Sequence, residues 1–117
     1  MSSLRIAVAS KDGISINQHF GHAREFLIFD VSAEAVRFVE KRDVALYCHG
    51  HHGDQTAMKD ILQTISDCLA VMVAKVGDGP AEKLAAIGVT PVDDYAYLGI
   101  SESLNACYLS LTEQEAI

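Results

Sequence analysis

The chain is poor in cations, in chain-breaking residues and in long apolar runs. Of its 117 residues only 9 are Lys or Arg, against 16 Asp or Glu, for a formal charge of −7. A net-negative surface repels phosphate backbones and lacks a basic stripe, so nucleic acid and anionic lipid are not expected as partners. No apolar run approaches the roughly 20 residues that cross a bilayer, which argues against an integral membrane protein. Eight glycines and two prolines are too few for collagen or low-complexity sequence, and an apolar content of 50% excludes disorder. There is no Cys-x-x-Cys pair. The three cysteines, Cys48, Cys68 and Cys107, are odd in number and widely spaced, so neither a disulfide framework nor a zinc-ribbon or thioredoxin-like site is expected. Gly-x-Ser-x-Gly, His-Glu-x-x-His and P-loop motifs are also missing. The N-terminus runs from Met1 straight into a strand-like stretch with no signal-peptide pattern, so a cytoplasmic location is expected.

What remains fits one self-sufficient domain over residues 1–117, long enough to bury about two thirds of its unfolded surface. Leu4 to Ala9 reads as a short buried strand. Glu25 to Val31 is a second strand with apolar residues on both faces, Phe26 and Ile28 on one and Leu27, Phe29 and Val31 on the other, as in a strand covered on both sides. Val36 to Val44 alternates with charge like an exposed edge strand, joined to the second through Ser32-Ala33-Glu34. A Gly- and His-rich loop from about Tyr47 to Gly53 follows, with Asp54 at an N-cap position. Ala57, Met58, Ile61, Leu62 and Ile65 then recur at helical spacing. Leu69 to Val76 is the strongest buried strand. A helix follows Gly77-Asp78-Gly79-Pro80 and ends at Gly88. Val89 to Val92 is a last strand, and a terminal helix is expected from Ile100 to about Leu109. The order β-β-β-α-β-α-β-α calls for a mixed five-stranded sheet with antiparallel N-terminal strands and helices on both faces, an α/β class.

Five histidines are the unusual feature. Three lie in Cys48-His49-Gly50-His51-His52-Gly53, where thiolate and imidazole offer soft ligands for iron, zinc, copper or metal–sulfide clusters. The loop precedes a helix N-terminus, which favours anions. A solvated polar loop would have the same composition. His19 and His22 lie three apart around Gly21, close enough to share a pocket; alternatively, Phe20 anchors the segment and one histidine bonds to backbone. At Gly77-Asp78-Gly79-Pro80 the third glycine of a dinucleotide fingerprint is replaced by Glu82, and Asp78 or Gly79 as cap with Pro80 at the first helical position accounts for the pattern. No nucleotide is expected there. Asp93-Asp94 is an isolated carboxylate pair in a loop, whereas two-metal chemistry needs carboxylates converging from several strands. Cys68 and Cys107 lie among apolar residues and read as core packers.

Taken together, Ile6-Ala7-Val8-Ala9-Ser10, Gln18-His19-Phe20-Gly21-His22-Ala23, Phe26-Leu27-Ile28-Phe29, Tyr47-Cys48-His49-Gly50, Asp67-Cys68, Ala74-Lys75-Val76-Gly77 and Ala86-Ile87-Gly88-Val89 resemble the dinitrogenase iron–molybdenum cofactor-binding family. That family includes the NifX and NafY carriers and the C-terminal domain of NifB. The resemblance spans Leu4 to about Ala106 and implies a ribonuclease-H-like three-layer α/β/α fold without nuclease activity. It also implies a non-enzymatic carrier of an iron–sulfur or iron–molybdenum cluster, or its precursor, that hands cargo to a cofactor-biosynthesis or acceptor protein in nitrogen fixation. It points to His19, and then His22, as cluster ligands, and matches Cys48 and His49 to the Tyr-Cys loop. His51 and His52 match no family motif; as further metal ligands beside His19 and Cys48 they rest on their chemistry alone. The rival readings are a small regulatory module holding one zinc or copper ion, another metal–sulfide cluster outside nitrogen fixation, and an enzyme with a nucleotide at Gly77 to Pro80.

Overall fold

The computed structural model describes residues 3–23, 25–43 and 55–115. Five strands form one sheet: β1 (Leu4–Val8), β2 (Glu25–Val31), β3 (Val36–Asp43), β4 (Ala70–Met72) and β5 (Thr90–Val92). Three helices accompany them, α1 (Gln55–Thr64), α2 (Asp78–Ala86) and α3 (Ile100–Glu115). The spatial order is β3-β2-β1-β4-β5. β1 pairs antiparallel with β2, and β2 with β3. β1 pairs parallel with β4, and β4 with β5. The sheet is therefore mixed, as the element order requires.

Period-two alternation divides the core between the two faces of the sheet. Ala7, Ala9, Phe26, Ile28, Val71 and Val73 pack with Ile61 and Ile65 around α1 and Leu84 of α2. Ile6, Val8, Val31, Ala70 and Met72 face the other way, onto Ile100, Leu104 and Cys107 of α3. The apolar runs from Ile6 in β1 and through β4 are those of strands buried on both faces. Cys68 and Cys107 are buried thiols in these cores; burial pushes Cys68 up to about 12 and Cys107 up to about 11, which suits inert packers.

Beyond one-residue differences at the ends of β1 and β5, three boundaries differ from the sequence expectation. The cap of α2 is Gly77, so Asp78 is its first helical residue and Pro80 its third; an acid in the first turn suits the helix dipole better than a cap further on. α3 continues to Glu115 because no Gly or Pro interrupts it after Gly99 and Tyr108 and Leu111 go on packing against the sheet. β4 is only three residues long. Beyond Met72 the extended chain changes neighbours: Ala74 N–H donates to Gln18 O at 3.0 Å and Phe20 N–H to Lys75 O at 2.9 Å. The apolar run read as one long strand thus ends by clamping the histidine segment. The expected cap at Asp54 and the loop from Tyr47 to Gly53 lie outside the described residues.

Candidate functional site

In open α/β sheets ligands bind beyond the carboxyl ends of parallel strands, where the chain departs in opposite directions from two neighbours. Here that point lies between β1, whose chain goes on to β2, and β4, whose chain goes on to β5. The loop after β1 and the segment after β4 meet there.

The first part of the loop is held by its own polar side chains. Asp12 Oδ1 accepts the backbone N–H of Ile14 at 2.9 Å and of Ser15 at 3.2 Å, together with the Ser10 hydroxyl at 3.2 Å. These backbone donors keep the Asp12 carboxyl below its usual range. Ser10 Oγ accepts from Gly13 N–H at 2.9 Å, and Gly13 takes φ +75°, which a side chain would resist. Asn17 Oδ1 accepts Lys11 N–H at 2.8 Å. The loop is thereby stiffened around Lys11.

The second part carries His19. Its backbone forms a parallel bridge with Lys75 and takes an extended conformation, φ −73° and ψ 147°. Phe20, fully buried, anchors it against Phe26 with ring centroids 6.1 Å apart, and a 3-10 turn spans Phe20–His22. The half-buried His19 lines a cleft of about 280 Å³ with Lys11, Asn17, Gln18 and Tyr97. Tyr97 reaches the cleft from the segment before α3, where its N–H donates to Ile16 O at 2.8 Å. It does so at φ +65°, a left-handed conformation that a bulky residue adopts only under constraint.

Of the sequence candidates, His19 lies in this cleft; Cys48, His49, His51, His52 and the side chain of His22 lie outside the described residues. Asp93 and Asp94 sit exposed in the turn after β5. Among the described residues no three His, Cys, Asp or Glu side chains converge as a metal-holding group. Lys11 was read from sequence only as part of a turn, Asn17 only as the start of the histidine segment, and Tyr97 only as part of a loop and of the family resemblance. The cue for Lys11 was its position shortly after the first buried strand; Tyr97 arrives through long-range pairing of 14–16 with 97–100.

A polar cleft carrying one imidazole thus lies at the switch point of a mixed α/β sheet, the place where such sheets accept ligands. The family model described as dinitrogenase iron–molybdenum cofactor matches residues 2–108, and the chain belongs to that family. The FeMo cofactor biosynthesis protein NifB of Herbaspirillum seropedicae is 44% identical over 80 residues, covering 68% of this chain and 15% of that protein. NifB of Azotobacter vinelandii is 41% identical over 78 residues, covering 64% of this chain and 16% of that protein. The chain therefore spans only a small part of the curated relatives it matches. Several solved structures share the fold. A Methanocaldococcus jannaschii protein described as a candidate dinitrogenase gives a TM-score of 0.55 at 12% identity, covering 94% of this chain and 91% of that one. A Thermotoga protein described as a candidate NifB gives 0.52 at 20%, covering 92% and 87%.

Proposed function

We propose that this chain is a non-catalytic carrier that holds an anionic iron–sulfur or iron–molybdenum type cluster, or its precursor, and hands it to another protein of cofactor synthesis or to an acceptor. The observation that carries the proposal is His19, presented in a polar cleft by a backbone clamped to the segment after β4. Imidazole is a suitable soft ligand for iron. Lys11 in the cleft and exposed Lys75 beside it supply local positive charge in a chain of net −7, as an anionic cargo requires. A site with few ligands suits a carrier, which must release what it binds.

Cys48 is the proposed second ligand, with His22, His49, His51 and His52 as further donors. β3 ends at Asp43, opposite Glu25 and past the register of Val8 with Leu27, so it ends on the rim where β1 ends. Five residues of chain span at most about 17 Å, while three strand spacings amount to about 14 Å, so Cys48 is within reach of the cleft.

Anaerobic reconstitution with a donated cluster, followed by visible absorbance and iron, molybdenum and labile-sulfide analysis, tests the proposal. Iron with stoichiometric sulfide is expected, with binding at least tenfold weaker in His19→Ala and abolished in His19→Ala/Cys48→Ala. A single zinc or copper ion without sulfide, or unchanged binding in the double variant, would overturn it.

A further inference from the structure

Directly beside the His19 cleft the surface changes character. Tyr97 and Leu98 are 64% and 53% exposed, and Leu109, further along α3, is 60% exposed. Leu98 walls a second cleft with Tyr95, Gly99, Glu102, Ser103 and Ala106. This cleft and the His19 cleft share the 95–99 segment, with Tyr97 on one and its neighbour Leu98 on the other. The segment is firmly seated, because Ile16 N–H donates to Leu98 O at 3.0 Å and Ile100 N–H to Ile14 O at 2.9 Å. Gly99 leaves room for Glu102: a Cβ there would stand 2.7 Å from Glu102 Oε1. Adjacent large apolar side chains exposed beside a ligand cleft, as Tyr97 and Leu98 are, mark a contact surface.

The charges on the segment and helix that form this surface are acidic, and Lys11 lies beyond Tyr97 in the His19 cleft. From Asp93 to Ala106 the only charged residues are Asp93, Asp94 and Glu102. Glu102 lines the second cleft, and Asp93 and Asp94 lie just before Tyr95. A second copy of the chain would bring acid against acid here, a repulsive arrangement. The complementary occupant carries an apolar side chain surrounded by lysine or arginine.

We propose that the surface of Leu98, Ala106 and Leu109, with Tyr97 at its border, is the docking face for the protein that exchanges the cluster, and that this partner inserts an apolar anchor ringed by basic residues. The proposal rests on the carrier reading and adds the kind of partner and where it binds. Seated here, the partner would lie next to His19, so cargo would pass between the two proteins over a short path.

Two twelve-residue peptides with the same central Leu-Phe anchor, one flanked by lysine and arginine and the other by glutamate, serve as probes in ¹⁵N NMR titrations of the whole chain. The basic peptide is expected to shift the amides of Leu98, Ser103 and Ala106 saturably, at least tenfold more tightly than the acidic one, with affinity falling as salt rises. Leu98→Ser and, independently, Leu109→Ser should each weaken it fivefold or more. Both side chains are more than half exposed, so these variants keep the fold and cluster binding. His19→Ala should leave peptide binding unchanged while weakening cluster binding, which separates failure of this proposal from failure of the carrier reading. Equal binding of the two peptides, shifts confined to other faces, indifference to both serine variants, or concentration-dependent dimerisation through Leu98 would each overturn the proposal.

Discussion

Ser103 and Tyr97 show how single positions around the clefts give up stability. The Ser103 hydroxyl oxygen is buried without a hydrogen-bond partner among the described residues. An unsatisfied buried hydroxyl costs about 1–3 kcal/mol, and alanine is the better helix former. Ser103→Ala should therefore raise stability by about 1 kcal/mol in urea unfolding; a loss of that size would show that the hydroxyl is bonded. Tyr97 holds a left-handed backbone that asparagine tolerates far better. Tyr97→Asn should leave stability unchanged or raise it by up to about 1 kcal/mol, while weakening cluster binding because the cleft loses a wall. That the segment of His19 lines a pocket was legible in the sequence, and so was the anchoring role of Phe20. The positive φ at Tyr97 was not legible, since it follows from pairing between segments some eighty residues apart.

Among the elements, the end of α2 was read well, though not its start, because that end is local chemistry. Gly88, at φ +82°, donates to Ala85 O at 3.1 Å, and Val89 N–H donates to Leu84 O at 3.0 Å, the paired bonds of a Schellman ending, with Leu84 and Val89 buried in the same cluster. A Cβ at position 88 would meet nothing within 4 Å, so Gly88→Ala should cost only the backbone penalty, about 1 kcal/mol by thermal unfolding. β4 was read as too long because its apolar run continues after it has exchanged sheet pairing for the histidine segment, a change of partner that composition does not record. The segment between α1 and β4 is fastened by charge. Arg42 donates from Nη1 to Asp67 Oδ1 at 2.7 Å and from Nη2 to Oδ2 at 3.1 Å, and its Nη1 also reaches Thr64 O at 2.8 Å near the end of α1. Arg5 joins through Asp67 and Asp30. Loss of Arg42 in Arg42→Ala should cost about 1–2 kcal/mol. The Arg42 guanidinium holds Asp67 well below the usual carboxylate range, and that of Arg5 lowers Asp30. Their contribution is present above the unfolded carboxylate value of about 4 and is lost as pH falls through the lower folded values. Stability should therefore decline below about pH 4, and Asp67→Asn should flatten that decline; an unchanged acid limb would contradict the ion-pair account.

At the scale of the whole molecule, the mixed sheet and its two cores were legible because strands buried on both faces write nearly continuous apolar runs and the edge strand writes alternating charge. The location of the cleft follows from topology: β1 and β4 lie side by side while their chains leave in opposite directions, opening the switch point that His19 occupies. No helix of the described residues is long and apolar enough to cross a membrane. The apolar and acidic surface beside the cleft was not legible, because its residues come from the 95–99 segment and from successive turns of α3 and share a face only in the fold. The central claim is that His19 binds the cluster directly through its imidazole. Pulsed paramagnetic resonance on the cluster-loaded chain, with histidine labelled with ¹⁵N, tests it most directly. We expect a hyperfine coupling to one imidazole nitrogen that disappears in His19→Ala; the same coupling persisting in that variant, or no nitrogen coupling in the unsubstituted chain, would contradict the claim.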